Sequence, residues 1–369
     1  MLVTKLKVRD FRSHELAELD VGPAITVLHG DNGSGKTNLL EAVFIACTGR
    51  SFRTSADREL VRFGAQLARL ELYGEAPDGA HEIAVGISPG EARRFHVDRS
   101  PVARLLDVEI RPLVTVFSPD RLELVKGTPA LRRAHIDQVV CALWPARMAS
   151  RRSLGQALAQ RNALLIRIRA GQASSESLGA WDTEVGRHGI AVMDDRRSAV
   201  ALLAPRFGEI ADSLGLDGGP ELVYRPRSLA TTAQELTAEI TARRATDLER
   251  GFSSHGPHRD DLRLAREGRE LRSYGSQGQQ RLGLLALLLA EREAIADSRG
   301  RAPLLLLDDV TSELDPERRQ RLIDLLGAQG AKGAQSIITT TDLGQLPSRG
   351  QMELIAVPSG VSQTTSLAA

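Results

Sequence analysis

His29-Gly30-Asp31-Asn32-Gly33-Ser34-Gly35-Lys36-Thr37-Asn38-Leu39-Leu40-Glu41 is the stretch from which the rest of the chain can be placed. Ahead of it, Ala24-Ile25-Thr26-Val27-Leu28 reads as a short buried strand; behind it, Leu39, Leu40, Ala42, Val43, Phe44 and Ile45 read as an apolar helix. Strand, glycine-rich turn and helix, in that order, are what a phosphate loop requires. Gly30, then four residues, then Gly35-Lys36-Thr37 match its pattern. Glycines let backbone N–H groups close around a phosphate, and the lysine ammonium reaches the β- and γ-phosphates. The helix start adds its positive dipole, and the Thr37 hydroxyl is a Mg2+ ligand. The candidate nucleotide site is therefore Gly30, Asp31, Asn32, Gly33, Ser34, Gly35, Lys36, Thr37 and Asn38.

A chain of 369 residues is long for one domain and implies two or three. Hydrophobic content of 42% and charged content of 26% fit a soluble globular protein. No apolar run is long enough to cross a membrane, and the start, Met1 to Val8, alternates like a strand instead of carrying a secretory core. A cytoplasmic protein is expected. Cys47 and Cys141 lie in apolar helical surroundings, which favours buried thiols over a disulfide. A net charge of +1 makes no global case for nucleic acid, so any such site must be a local patch. Aromatic content of 4% argues against binding single strands by base stacking.

Along the chain, Leu2 to Val8 and Leu16 to Val21 read as strands, and short alternating runs between Leu67 and Val97 predict an antiparallel β subdomain beside the phosphate loop. From about Thr128 to Leu214 the composition turns to arginine, alanine, leucine and glutamine, predicting helices over 131–143, 147–169 and 178–203. The resulting fold class is α/β, with a nucleotide lobe of residues 1–120 and 280–369 and a mainly helical lobe of 121–279.

Pro303 to Asp309 supplies the second half of the site: a buried strand ending in two carboxylates. Asp308 is the candidate Mg2+ ligand, and Asp309 the candidate group that orients or deprotonates the attacking water. Together with Ser276-Gln277-Gly278-Gln279 and Ser312-Glu313-Leu314-Asp315, these motifs resemble the ATP-binding-cassette ATPases of the SMC-like branch. Within that branch the chain resembles the RecF family of bacterial recombination mediators. The similarity runs through Val8 to Arg12, Gly49 to Thr54, Val116 to Asp137, Ser254 to Leu262, Tyr274 to Leu282 and Leu304 to Asp315.

The resemblance implies an SMC-like head with an ATP-dependent, head-to-tail homodimer, in which Ser276, Gly278 and Gln279 meet the partner's nucleotide. It also implies slow ATP hydrolysis, stimulated by DNA, and binding of duplex or gapped DNA. The expected partners are RecR and RecO, which it would help to load RecA. By the same resemblance Arg12 can contact phosphate, while Glu313 and Asp315 belong to the loop linking the two sites. Transporter-type cassettes carry a histidine after the last strand of the site, whereas this chain has Thr341, a residue that cannot carry a proton as imidazole does. A transporter ATPase subunit and a nuclease-coupled ATPase of the same branch are the rival readings.

Arginines of the helical segment, chiefly Arg132, Arg133, Arg151 and Arg152 with Arg161, Arg167 and Arg169, are candidates for contacts with DNA phosphates. His255, His258, Asp260 and Asp261 lack metal-ligand spacing, and a structural turn is expected there.

Overall fold

The computed structural model describes residues 1–346, 352–358 and 365–367. The chain divides into two compact units, one of residues 1–121 with 299–369 and one of 122–298. The expected boundary at 280 falls early in the helix Gln277–Arg299, which the structure counts almost wholly with the second unit.

In the first unit a five-stranded, all-parallel sheet runs Met352–Ala356, Ile25–His29, Ser336–Thr340, Leu304–Leu307, Val114–Phe117. Leu304–Leu307 is wholly buried, as a parallel strand covered on both faces must be, which explains its unbroken leucines. A seven-stranded sheet runs Thr365–Leu367, His14–Asp20, Leu2–Phe11, Ala68–Ala76, Gly79–Ile87, Arg94–Val97, Ser100–Val102. The expected β subdomain is thus continuous with the N-terminal strands. Helix Lys36–Thr48 buries Leu39, Leu40, Ala42, Val43, Ile45, Ala46 and Cys47 in one core shared by residues of both sheets, such as Leu6, Leu70, Leu306 and Ile337. A helix apolar on all sides needs such cover. Helix Pro316–Gly330 packs against Ile25–His29, burying Leu322, Ile323 and Leu326.

The second unit is built on helices Pro129–Leu143, Met148–Arg169 and Leu178–Ser213, with a three-stranded sheet in the order Arg269–Glu270, Asp261–Arg266, Glu221–Arg225. Leu178–Ser213 runs past the expected end at Leu203 and takes Pro205 into its interior. Proline deletes one helical hydrogen bond, but Leu203, Phe207, Ile210 and Ala211 are buried on either side of it and the packing prevails. Residues 231–250 carry two short helices, Ala233–Ala242 and Arg244–Arg250. Among the described residues no helix is long and apolar enough to cross a membrane.

Many arginines here are structural. Arg161 is fully buried and held by Asp182 and Asp247, each at 2.7 Å. Arg132 is only 2% exposed and grips Asp261 with two bonds of 2.7 and 3.0 Å. Arg161 cannot leave its acids to meet DNA without stranding buried charge, nor Arg132 without giving up its bonds to half-buried Asp261, so both depart from the expected phosphate-contacting set. Arg133 donates to the Asp260 carbonyl at 2.7 Å, and Arg151 pairs with Asp137 at 2.8 Å while staying exposed. Arg152 is exposed and, among the described residues, makes only a 4.0 Å contact with the Met148 sulfur. The histidine-aspartate segment is a turn, as expected. His255 bonds Glu239, His258 the Ser253 carbonyl, and Asp260 takes Arg196, Tyr224 and the Arg227 amide. No metal-holding cluster exists among the described residues.

Candidate nucleotide site

The phosphate loop follows Ile25–His29 and opens the helix at Lys36. Two of its glycines are obligatory. A Cβ on Gly30, at φ +151°, would lie 2.3 Å from the Val357 carbonyl oxygen, and one on Gly35, at φ +98°, 2.4 Å from His14 Nε2. Gly33 also takes a positive φ, and Asp31, Asn32 and Gly33 face solvent while Ser34 is buried. Lys36 Nζ donates to the carbonyls of Gly30 at 2.8 Å and Asp31 at 2.7 Å, which centres the ammonium on the loop. Burial holds its pKa below the ordinary value, against the pull of Asp309 and Asp308.

Asp308 is brought to the loop although its strand is not adjacent to Ile25–His29; Ser336–Thr340 lies between. Thr37 Oγ1 and Thr339 Oγ1 each donate to Asp308 Oδ1 at 2.8 Å, so three distant segments converge on one carboxylate oxygen. Burial raises the Asp308 carboxyl above its usual range, while Thr37, Thr339 and the Arg53 charge draw it down. A hydroxyl and a carboxylate placed together are hard oxygen donors of the kind Mg2+ takes, so the residues fit the ion. Asp309 adopts a left-handed backbone at φ +49°. Its amide bonds Thr339 Oγ1 at 2.9 Å, its Oδ2 accepts from Ser312 at 2.8 Å, and its Oδ1 is buried without a hydrogen-bond partner.

Arg12, read as a phosphate contact, makes a two-pronged ion pair with buried Glu41 at 2.9 and 2.8 Å. Asn38 donates to Ser13 Oγ at 2.9 Å and accepts from Arg53 at 3.0 Å. Asp315 caps helix Pro316–Gly330 by accepting from the Arg318 amide at 2.9 Å; Glu313 ends the short turn Val310–Glu313. Thr341 is exposed, one residue past its strand. In the second unit, Ser276 and Gln279 cap each other: the Ser276 amide donates to Gln279 Oε1 at 2.8 Å, and the Gln279 amide to Ser276 Oγ at 3.3 Å. Ser276 is exposed, with Gly278 and Gln279 half-buried beside it.

Thr339 and Glu41 escaped the sequence reading as site residues. Three threonines ending an apolar strand, Thr339 to Thr341, were the available signal for the first. For Glu41 the signal was a lone acid within an apolar helix.

Fold and site define a phosphate-loop ATPase domain of the ABC type. The chain belongs to the RecF/RecN/SMC N-terminal domain family, whose model matches residues 2–363, and within it to the RecF branch. It is 41% identical over 352 residues to the DNA replication and repair protein RecF of Anaeromyxobacter sp. (strain Fw109-5), covering 93% of each chain. To the RecF of Myxococcus xanthus (strain DK1622) it is 38% identical, over 93% of this chain and 91% of that one. Among solved structures, the recombination mediator protein RecF with ATP, in the RecFOR pathway, superposes with a TM-score of 0.81 at 25% identity, covering 96% of this chain and 95% of that one. An Smc head bound to the C-winged helix domain of ScpA gives 0.63 at 18% identity, over 100% and 98%, a likeness of fold. ATP binding is supported by these matches together with the loop.

Proposed function

We propose that this chain is an ATP-gated DNA-binding switch of recombinational repair. Two copies would close head to tail on Mg-ATP, each offering Ser276, Gly278 and Gln279 to the other's nucleotide, and the closed pair would hold duplex DNA near gaps. Slow hydrolysis, stimulated by DNA, reopens it. Partners of the RecR and RecO kind, and help in loading RecA, belong to the same proposal, which the place of a similar RecF in the RecFOR pathway supports.

The observation that carries this reading is the convergence of Thr37, Thr339 and Asp308 at 2.8 Å beside Lys36. It supports a metal and triphosphate site there, while the serine-glycine helix start at Ser276 to Gln279 is in the other compact unit. Thr37 and Asp308 would hold Mg2+; Asp309 would hold the attacking water. A residue such as Thr341 in place of a histidine suits an ATPase that dwells in the bound state.

Gel shifts on gapped and intact duplexes, with and without ATP and across a salt series, test the reading. ATP-dependent, salt-sensitive binding is expected, and binding indifferent to both refutes a clamp held by phosphate contacts. Lys36→Arg is expected to abolish nucleotide-dependent dimers by size measurement, because lysine's geometry is used as well as its charge. DNA cleavage with metal alone would favour the nuclease-coupled rival.

A further inference from the structure

The five-stranded parallel sheet carries the phosphate loop and Asp308 at the edge where its strands end, and a different chemistry gathers at the edge where they begin. There Arg111 and Arg301 each stand three residues ahead of a register pair, Val114 with Leu304, on adjacent strands. Neighbouring strands lie about 4.8 Å apart, and the two incoming segments touch. Arg301 Nη2 donates to the Glu109 carbonyl at 2.6 Å, and the Leu304 amide to the Leu113 carbonyl at 2.8 Å. Arg299 ends the helix that leads into the same segment. All three arginines belong to the compact unit of residues 1–121 with 299–369, and all are half-buried.

Their charge is not cancelled. Arg12, Arg53, Arg62 and Arg93 of the same unit each hold an acid, whereas among the described residues Arg111, Arg299 and Arg301 make no ion pair. Burial, and then the charges of Arg301, Arg299 and Arg50, push the Arg111 guanidinium below its ordinary pKa. Burial and then Arg299 do the same to Arg301, against the pull of Glu109. Asp107 is engaged by Arg104 at 3.9 Å, and Asp78 acts on the Met1 amino group, which burial and then Arg301 hold down. Four guanidinium groups, Arg50 included, thus face the Glu109 carboxylate and the carbonyl ends of the helices Lys36–Thr48 and Gln277–Arg299. With each helix end worth about half a negative charge, an excess of about two positive charges remains.

The donor set selects the occupant. Small phosphates sit on backbone N–H groups where helices start, and here helices end. A duplex meets cations strung along its backbone, while these repel one another from a single spot. Guanidinium forks match carboxylates. The loop that carries Glu109 and Arg111 also leaves Leu106 43% exposed, an apolar contact that a peptide can use and a phosphate backbone cannot.

We propose that this edge of the sheet docks an acidic peptide segment of a partner protein, whose carboxylates are received by Arg111, Arg299 and Arg301 beside Leu106. It lies at the other end of the strands from the phosphate loop, so its loss leaves ATP binding intact.

Fluorescence anisotropy of the full-length chain with a labelled peptide of aspartates around a leucine tests it, beside the same peptide with asparagines, inorganic phosphate and a short duplex. The acidic peptide is expected to bind in low salt and to be released by added salt. Arg301→Gln and Arg111→Met are each expected to weaken it by about tenfold or more, the value of a charge-assisted hydrogen bond, with ATP affinity that of wild type. Arg111→Met keeps the bulk of the stem and removes a repelled charge, so the melting temperature of the peptide-free protein holds or rises; a fall makes Arg111 a structural residue and overturns its assignment. An acidic peptide that does not bind, that binds no better than its asparagine form, or that binds both variants as it binds wild type overturns the proposal. So does a duplex or phosphate that binds more tightly than the peptide and is lost in the same variants. Should Arg111→Met fail to fold, Arg301→Gln decides alone.

Discussion

Asp309 combines two properties that make its chemistry separable from its fold. Its backbone is left-handed, a region asparagine tolerates better than most residues, and its Oδ2 bond to Ser312 can be made by an amide oxygen. Asp309→Asn is therefore expected to keep ATP binding and melting temperature while lowering phosphate release at least about a hundredfold, as loss of a general base does. A variant that hydrolyses ATP normally would remove Asp309 from the mechanism. The shape of the phosphate loop was legible in the sequence where it is local: Lys36 bonds the Gly30 and Asp31 carbonyls within one short stretch of chain. Thr339 and Glu41 were not, because their partners, Asp308 and Arg12, lie 31 and 29 residues away and only the folded sheet and turn supply them.

Elements show the same division. The strand Leu304–Leu307 announces itself by four leucines, but nothing in the sequence around Pro205 reveals that its helix continues, since the burial of Phe207 and Ile210 overrides the proline. Nor could an arginine count tell Arg132, buried on Asp261, from exposed Arg152. Arg132→Ala is accordingly expected to cost about 2 kcal/mol by urea unfolding, because it removes the bonds to Asp261 and the Gly127 carbonyl, whereas Arg152→Ala leaves stability alone and, if DNA lies there, weakens DNA binding and lowers its salt dependence. The hairpins of the seven-stranded sheet carry a further device. His81 bonds Asp98 at 2.8 Å and Asp78 at 3.0 Å, pinning two turns, and its pKa is raised above 6.5, chiefly by Asp98 and then by Asp78. A raised pKa means that the pin contributes fully below pH 6.5 and is lost as pH climbs through the folded value. Asp98 and Asp78 are depressed, through the Glu82 amide and His81 respectively, so their share is lost only on strong acidification. Hydrogen exchange at the Glu82 and Asp98 amides, corrected for intrinsic rate, should be slowest in mildly acid solution and accelerate by pH 8. His81→Gln should remove that dependence.

At the scale of the molecule, the order of motifs along the chain already implied that one nucleotide lobe is interrupted by a helical insert. The structure places the division at 121/122 and 298/299. On the proposed head-to-tail arrangement, a second chain would complete the ATP site. Ser276 and Gln279 exchange bonds between amide and side chain, which fixes the helix start that the proposed arrangement would offer to a partner's nucleotide. A composite site, if formed as proposed, has a consequence that a self-contained site lacks. In a head-to-tail pair, a chain with Ser276→Arg spoils only the site of its partner's nucleotide, and a chain with Asp309→Asn spoils only its own. Mixed in one dimer, the two variants place both defects in the same site and leave the other intact. Each variant alone should hydrolyse ATP poorly, and an equal mixture should recover phosphate release that neither shows by itself, rising with total protein concentration as mixed dimers form. A mixture no more active than the mean of its components, at concentrations where wild type dimerises, would mean that each chain completes its own site.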